Sequence, residues 1–256
     1  MCARLCNRVI AAVVLLAGAL AVAASGALAG DKPQKPPRAA VHVLRATYDV
    51  YQNNEVKGYE NIERTSYNDN TITFDVEYQL KPTEAVTAHQ SVEMFLREDS
   101  YFPLRFHEEK NIDQQGSTMS LAIDIEMVSN VAVYTTTSPN NTGTRNIVVP
   151  NGTAFVETGV VYIYYPFLFW YDNDRGGRQN FDVLDVGGGR LKSVVMEHLP
   201  SQTITVGGQE YEADLYLVER DRYNVNLFVG DDGRILRVEQ NYMPVSYTHL
   251  RAHETV

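Results

Sequence analysis

Cysteine is almost missing from this chain. Its 256 residues hold two, Cys2 and Cys6, and both precede the first apolar run. If the N-terminal leader is removed the remainder has none, which excludes structural disulfides, thiol catalysis and cysteine-based zinc sites. Clustered basic residues are missing too. Setting aside Arg4, Arg8, Arg251 and Glu254 from the 22 basic and 32 acidic residues leaves 19 against 31, so residues 30–243 carry about −12. Phosphate neutralisation needs blocks of Lys and Arg, so nucleic acid and anionic membrane surfaces are poor partners. Past the leader there is also no apolar run of the roughly 20 residues that a membrane-spanning helix needs.

The leader itself has the three parts of a secretory signal peptide over residues 1–29. Arg4 and Arg8 supply positive charge, Val9 to Ala24 is apolar, and Ala27-Leu28-Ala29 forms a small-x-small cleavage site. A membrane anchor competes with this reading. The apolar run is short and rich in Ala, and Gly18, Ser25 and Gly26 interrupt its end, so cleavage and a periplasmic or secreted destination are expected. Residues 30–40, GDKPQKPPRAA, follow as a Pro- and Lys-rich linker.

At the other end, Val245 to Thr255 reads VSYTHLRAHET, which resembles translated sequencing-adapter sequence, so residues 244–256 are expected to be a non-native tail. Within it His249 and His253 have the i, i+4 spacing that places two imidazoles on one helix face as metal ligands. Glu254 follows the second histidine where a metalloprotease pattern needs a glutamate after the first, and the adapter reading sets the pair aside.

What lies between is abundant in strand formers, with 16 tyrosines and many Val, Ile and Thr. Strands are expected from Val41 to Gln52, onward to Tyr67, and from Thr71 to Leu80, where Ile72, Phe74, Val76, Tyr78 and Leu80 alternate with polar residues. The alternation recurs at Val92, Met94 and Leu96, at Leu104 and Phe106, and at Leu121, Ile123, Ile125 and Met127. Turn residues fall at 53–54, 68–70, 114–117, 129–130, 139–143, 187–189, 207–208 and 231–233. Later strands are expected at 179–186, 190–199, 202–206, 209–220, 223–229 and 234–242. The predicted fold is therefore mainly β: a curved antiparallel meander forming a half-barrel or open barrel, with one short apolar helical segment near 154–171. It reads as a single domain over 41–243 with two possible sub-halves, 41–150 and 178–243.

The helical segment contains VVYIYYPFLFWY, residues 160–171, with the only Trp of the chain. One reading is a buried plug, whole or broken at Pro166, on the concave face of the sheet. The other is an apolar lining or lip for a ligand, since Tyr and Trp suit a boundary between oil and water. The candidate ligand-binding residues are Tyr162, Tyr164, Tyr165, Phe167, Phe169 and Trp170.

Catalytic and metal patterns fail one by one. His42, His89, His107 and His198 are scattered, and His107-Glu108-Glu109 lacks a second histidine at i+4, so solvated strand histidines are expected. Asp172-Asn173-Asp174-Arg175-Gly176-Gly177 opens like a calcium loop, but Gly176 and Val183 stand where further ligands belong. No G-x-S-x-G or S-x-x-K occurs, and Gly187 to Gly189 precede a strand where a nucleotide site needs a helix. The carboxylate pairs Glu98-Asp99 and Glu108-Glu109 are expected on solvated turns and strand faces.

Three stretches carry a resemblance: YFPLRFHEEKN at 101–111, FDVLDVGGGRLKSVVMEHLPSQTITVGGQEYEADLYLVE at 181–219 and VNLFVGDDGRILRVEQ at 225–240. Through them the chain resembles a family of uncharacterised bacterial exported proteins, built from β-hairpins, an apolar aromatic segment and closing strands. The overall plan also resembles the half-barrel carriers LolA and LolB, which enclose acyl chains. In such a bacterial setting the sequons at Asn140 and Asn151 carry little weight. The expectation is a non-enzymatic envelope protein holding a lipid or other apolar ligand, with no cofactor and no metal. A module docking another envelope protein through a sheet edge, and a hydrolase, are the alternatives.

Overall fold

The computed structural model describes residues 38–52, 55–157, 160–221, 223–242 and 246–253. The expected signal peptide, most of the linker, and the turn at 53–54 lie outside the described residues. The chain forms β1 (Ala40–Gln52), β2 (Glu55–Tyr67), β3 (Thr71–Thr83), β4 (Val86–Arg97), β5 (Pro103–Gln114), β6 (Ser117–Val128), β7 (Val131–Ser138) and β8 (Asn141–Val148), an antiparallel run of hairpins. After the short β9 (Ala154–Val156), a 3-10 turn (Tyr162–Tyr164) leads into α1 (Tyr165–Trp170). Then come β10 (Arg178–Asp185), β11 (Arg190–Val206), β12 (Gln209–Glu219), β13 (Tyr223–Val229), β14 (Ile235–Tyr242) and β15 (Ser246–His253).

The architecture is an eight-stranded antiparallel sheet, β1–β8, and a six-stranded half-barrel, β9–β14, joined where β15 pairs with both β1 and β14. Every pairing is antiparallel except β9 with β10. The curved, mainly β expectation holds, with two refinements. The helical segment is confined to 162–170, and 154–156 is strand. The expected strands 190–199 and 202–206 are one strand, β11, whose register shifts between Leu199 and Gln202, around Pro200. Proline has no N–H for the ladder, so the strand bulges there instead of ending. Tight packing of β2 on β3 also dictates Gly58, because a Cβ there would lie 1.9 Å from the Gln79 carbonyl oxygen.

Even-numbered residues of β1–β5 and odd-numbered residues of β6 point inward and align in transverse rows. One row runs Leu44, Arg64, Phe74, Met94, Phe106, Ile125 and Tyr134. The next runs Ala46, Ile62, Val76, Val92, Glu108 and Ile123, and the third Tyr48, Glu60, Tyr78, Gln90 and Lys110. The main core joins the first two rows to the plug and to the inward residues of β10–β14, among them Leu184, Met196, Val225, Leu227 and Val238. Each such side chain contributes about 1.5–3 kcal/mol by leaving water. β8 ends the sheet, with seven of its eight residues exposed.

Candidate functional site

The aromatic segment is a plug, and Glu60 fixes its start. Glu60 is fully buried on the inward face of β2, and its carboxylate accepts from the backbone N–H of Val161 (2.9 and 3.0 Å) and of Tyr162 (3.4 Å). Those amides begin the helical turn and have no partner within it, so a carboxylate satisfies them. Burial raises the Glu60 pKa to about 8, and the two backbone donors oppose that rise. Pro166 falls in the first turn of α1, where a missing N–H costs nothing.

The six candidate ligand residues divide in two. Tyr162, Tyr164 and Phe167 are fully buried and fill the concave face, with Phe167 packed edge-on against Phe181 and Trp170. Trp170 is half-buried and donates its indole N–H to the Ser100 carbonyl (2.6 Å). Tyr165 and Phe169 instead face a cleft at one end of the barrel. It measures about 380 Å³ and is walled by Leu44, Ala46, Tyr48 and Ile62 from β1 and β2, Phe74, Tyr101, Leu168 of α1, and the 232–236 segment. Tyr165 stacks on Phe74 (5.5 Å) and Phe169 on Tyr101 (4.7 Å), while Phe169 remains 51 % exposed. Tyr101 holds its ring there with a backbone φ of +50°, a costly conformation for a non-glycine residue. The interior is thus occupied by the protein's own side chains, and the open apolar volume lies at the mouth.

Alternation alone would place Glu108 inside, two residues after Phe106, but its neighbour Glu109 hid that signal. Glu108 is 1 % exposed, which corrects the solvated expectation for it. Lys110 lies 3.7 Å from Glu108 and 3.8 Å from Glu157, and burial with the Glu157 charge raises Glu108 to about 7. The Tyr162 hydroxyl, buried close to these charges, has no hydrogen-bond partner in the structure. This polar group sits near the seam where β7 and β8 meet the 187–189 turn. There Tyr134 donates to the Val186 carbonyl (2.8 Å) and Arg145 to the Gly188 carbonyl (2.9 Å). Gly189 has φ +54°, and a Cβ on it would run into the Arg145 guanidinium.

On the outward face the opposing residues Arg45, Glu63, Asp75, Glu93, His107 and Asp124 form another row, beside a shallow groove of about 600 Å³. His107 lies on the outward face of β5, 30 % exposed, with Nδ1 2.8 Å from Asp124 and Nε2 3.6 Å from Glu109. The cluster brings a histidine and carboxylates together as a hydrolase would. The backbone around it is paired in the β4–β5–β6 ladder. His198 stacks on Tyr216 (4.6 Å), and His42 and His89 are exposed. The Asp172 carboxylate accepts from Arg175 N (3.1 Å), so the calcium-like stretch is a turn. His249 and His253 fall on a strand, β15, instead of a helix. Among the described residues no group of three or more His, Cys, Asp or Glu is placed to hold a metal ion, and no helix is long and apolar enough to cross a membrane.

Residues 48–249 match a family described as a domain of unknown function, DUF6134. None of the curated proteins matches the chain. Among solved structures, the chain is similar to a β-barrel-like protein from Brucella abortus, of the domain of unknown function DUF1849. That likeness has a TM-score of 0.58 at 12 % identity and covers 83 % of this chain and 98 % of the other. At that identity it bears on the fold alone.

Proposed function

The chain belongs to the DUF6134 family, and from that premise we propose a non-enzymatic exported protein that binds one apolar ligand at the mouth of its barrel, between α1, β1–β3 and the 232–236 segment. The observation that carries this is the apolar cleft of about 380 Å³, with Leu168 half-buried and Phe169 half-exposed at its lip. Ligand pockets run from roughly 300 to 1,000 Å³, so the cleft suits a single chain or ring system. The leader over residues 1–29 supports export, and the plug redirects the ligand from the concave interior to its rim.

Native mass spectrometry of protein purified without detergent, with uptake of a fluorescent fatty acid, tests the proposal. Binding is expected, and Leu168→Asp should weaken it by about tenfold or more, since a carboxylate in the cleft must be desolvated. Neither a co-purifying apolar ligand nor any uptake would overturn it.

A further inference from the structure

Arg64 stands where the alternation calls for an apolar residue. It lies on the inward row directly between Leu44 and Phe74, and all three line the cleft. Two other arginines border the cleft, and both are committed: Arg45, whose side chain lies on the outward face of β1, has Nε 2.7 Å from Glu63, and Arg234 Nε lies 2.5 Å from Asp232. The ion pair of Arg64 is loose, with Nη2 3.7 Å from Glu98, and its buried Nε has no hydrogen-bond partner in the structure. A half-buried, planar donor with spare N–H groups matches a carboxylate, which accepts from two of them at once. A cationic head would meet Arg64 and Arg234, and the one carboxylate lining the cleft, Asp232, is already taken by Arg234.

Resting on the reading of the cleft as an apolar ligand site, we infer that its occupant is a single-chain amphiphile with a carboxylate head: the chain lies against Phe74, Leu168 and Phe169, and Arg64 takes the head group. One chain suits a volume near the small end of ligand pockets. The strained Tyr101 backbone and the stacked Tyr101 and Phe169 rings form the wall at the lip of the cleft.

Calorimetric titration with hexadecanoate and with hexadecanol, below their micelle or solubility limits, separates head from chain. The wild-type protein should bind the carboxylate about tenfold or more tightly than the alcohol. Arg64→Gln should abolish that preference while keeping alcohol binding, and Arg64→Lys should restore part of it. Glu98→Gln, outside the cleft, releases the competing anion and should tighten carboxylate binding severalfold, which keeps the test valid if Arg64→Gln fails to fold. Equal wild-type affinity for the two ligands, or a preference for the alcohol, overturns the carboxylate inference and leaves the apolar reading intact. Binding of neither ligand overturns the apolar reading itself.

Discussion

Glu60 shows how one side chain ties chemistry to architecture. Its pKa is raised from the ordinary 4.5 to about 8, with burial the largest cause. Below about pH 4.5 the group is protonated whether the chain is folded or not, and burial then carries no ionic cost. Between 4.5 and 8 the unfolded chain gives up the proton and the folded one keeps it, so stability falls as pH rises and levels off once the folded form has ionised. The fall from this group is on the order of 3–5 kcal/mol. Denaturant unfolding of the wild type at pH 5 and at pH 8.5 should show the loss, and Glu60→Gln should remove most of it. Part of the slope should survive in that variant, because Glu108 beside Glu157 and Lys110 titrates in the same direction. An unchanged slope in Glu60→Gln would contradict this assignment.

At the scale of the element, α1 with its preceding 3-10 turn holds the two halves of the core together. Six residues at most form the helix proper, too few to be stable alone, so packing must supply its stability. Phe167 is the centre of that packing, fully buried against Tyr164, Trp170 and Phe181. Phe167→Ala is expected to cost about 3–5 kcal/mol. The single Trp of the chain sits three residues on and donates to Ser100 O, so its fluorescence should shift red as the plug loosens. A stability loss with no change in Trp170 emission would place the damage elsewhere.

The whole molecule explains what the sequence made legible. Strands such as Thr71 to Leu80 announced themselves because one wet face and one buried face write a period of two. Ile72, Phe74 and Val76 are indeed buried. The plug was legible as an apolar aromatic run, but its composition did not distinguish wall from filling: Tyr164 and Phe169 look alike in sequence and differ completely in exposure. Arg64, Glu60 and Glu108 were illegible for a different reason. Each sits in phase with the apolar face, yet only the pairing of β2 with β1 and β3, and of β5 with β4 and β6, brings them into rows with distant residues. The same continuity of core across β1–β7, the plug and β10–β14 implies one cooperative unit. Scanning calorimetry should give a single transition with equal calorimetric and van't Hoff enthalpies. Two separated transitions would show that the halves unfold independently.

The position of the plug in the chain also orders assembly. A chain that is synthesised and exported from its N-terminus delivers residues 160–171 just after β8 and ahead of β10–β14. The eight-stranded sheet therefore meets its own filling first, with Glu60 ready to receive the amides of Val161 and Tyr162 about a hundred residues later. The second half closes on a surface already built, which spares the nascent chain a search between two bare apolar sheets.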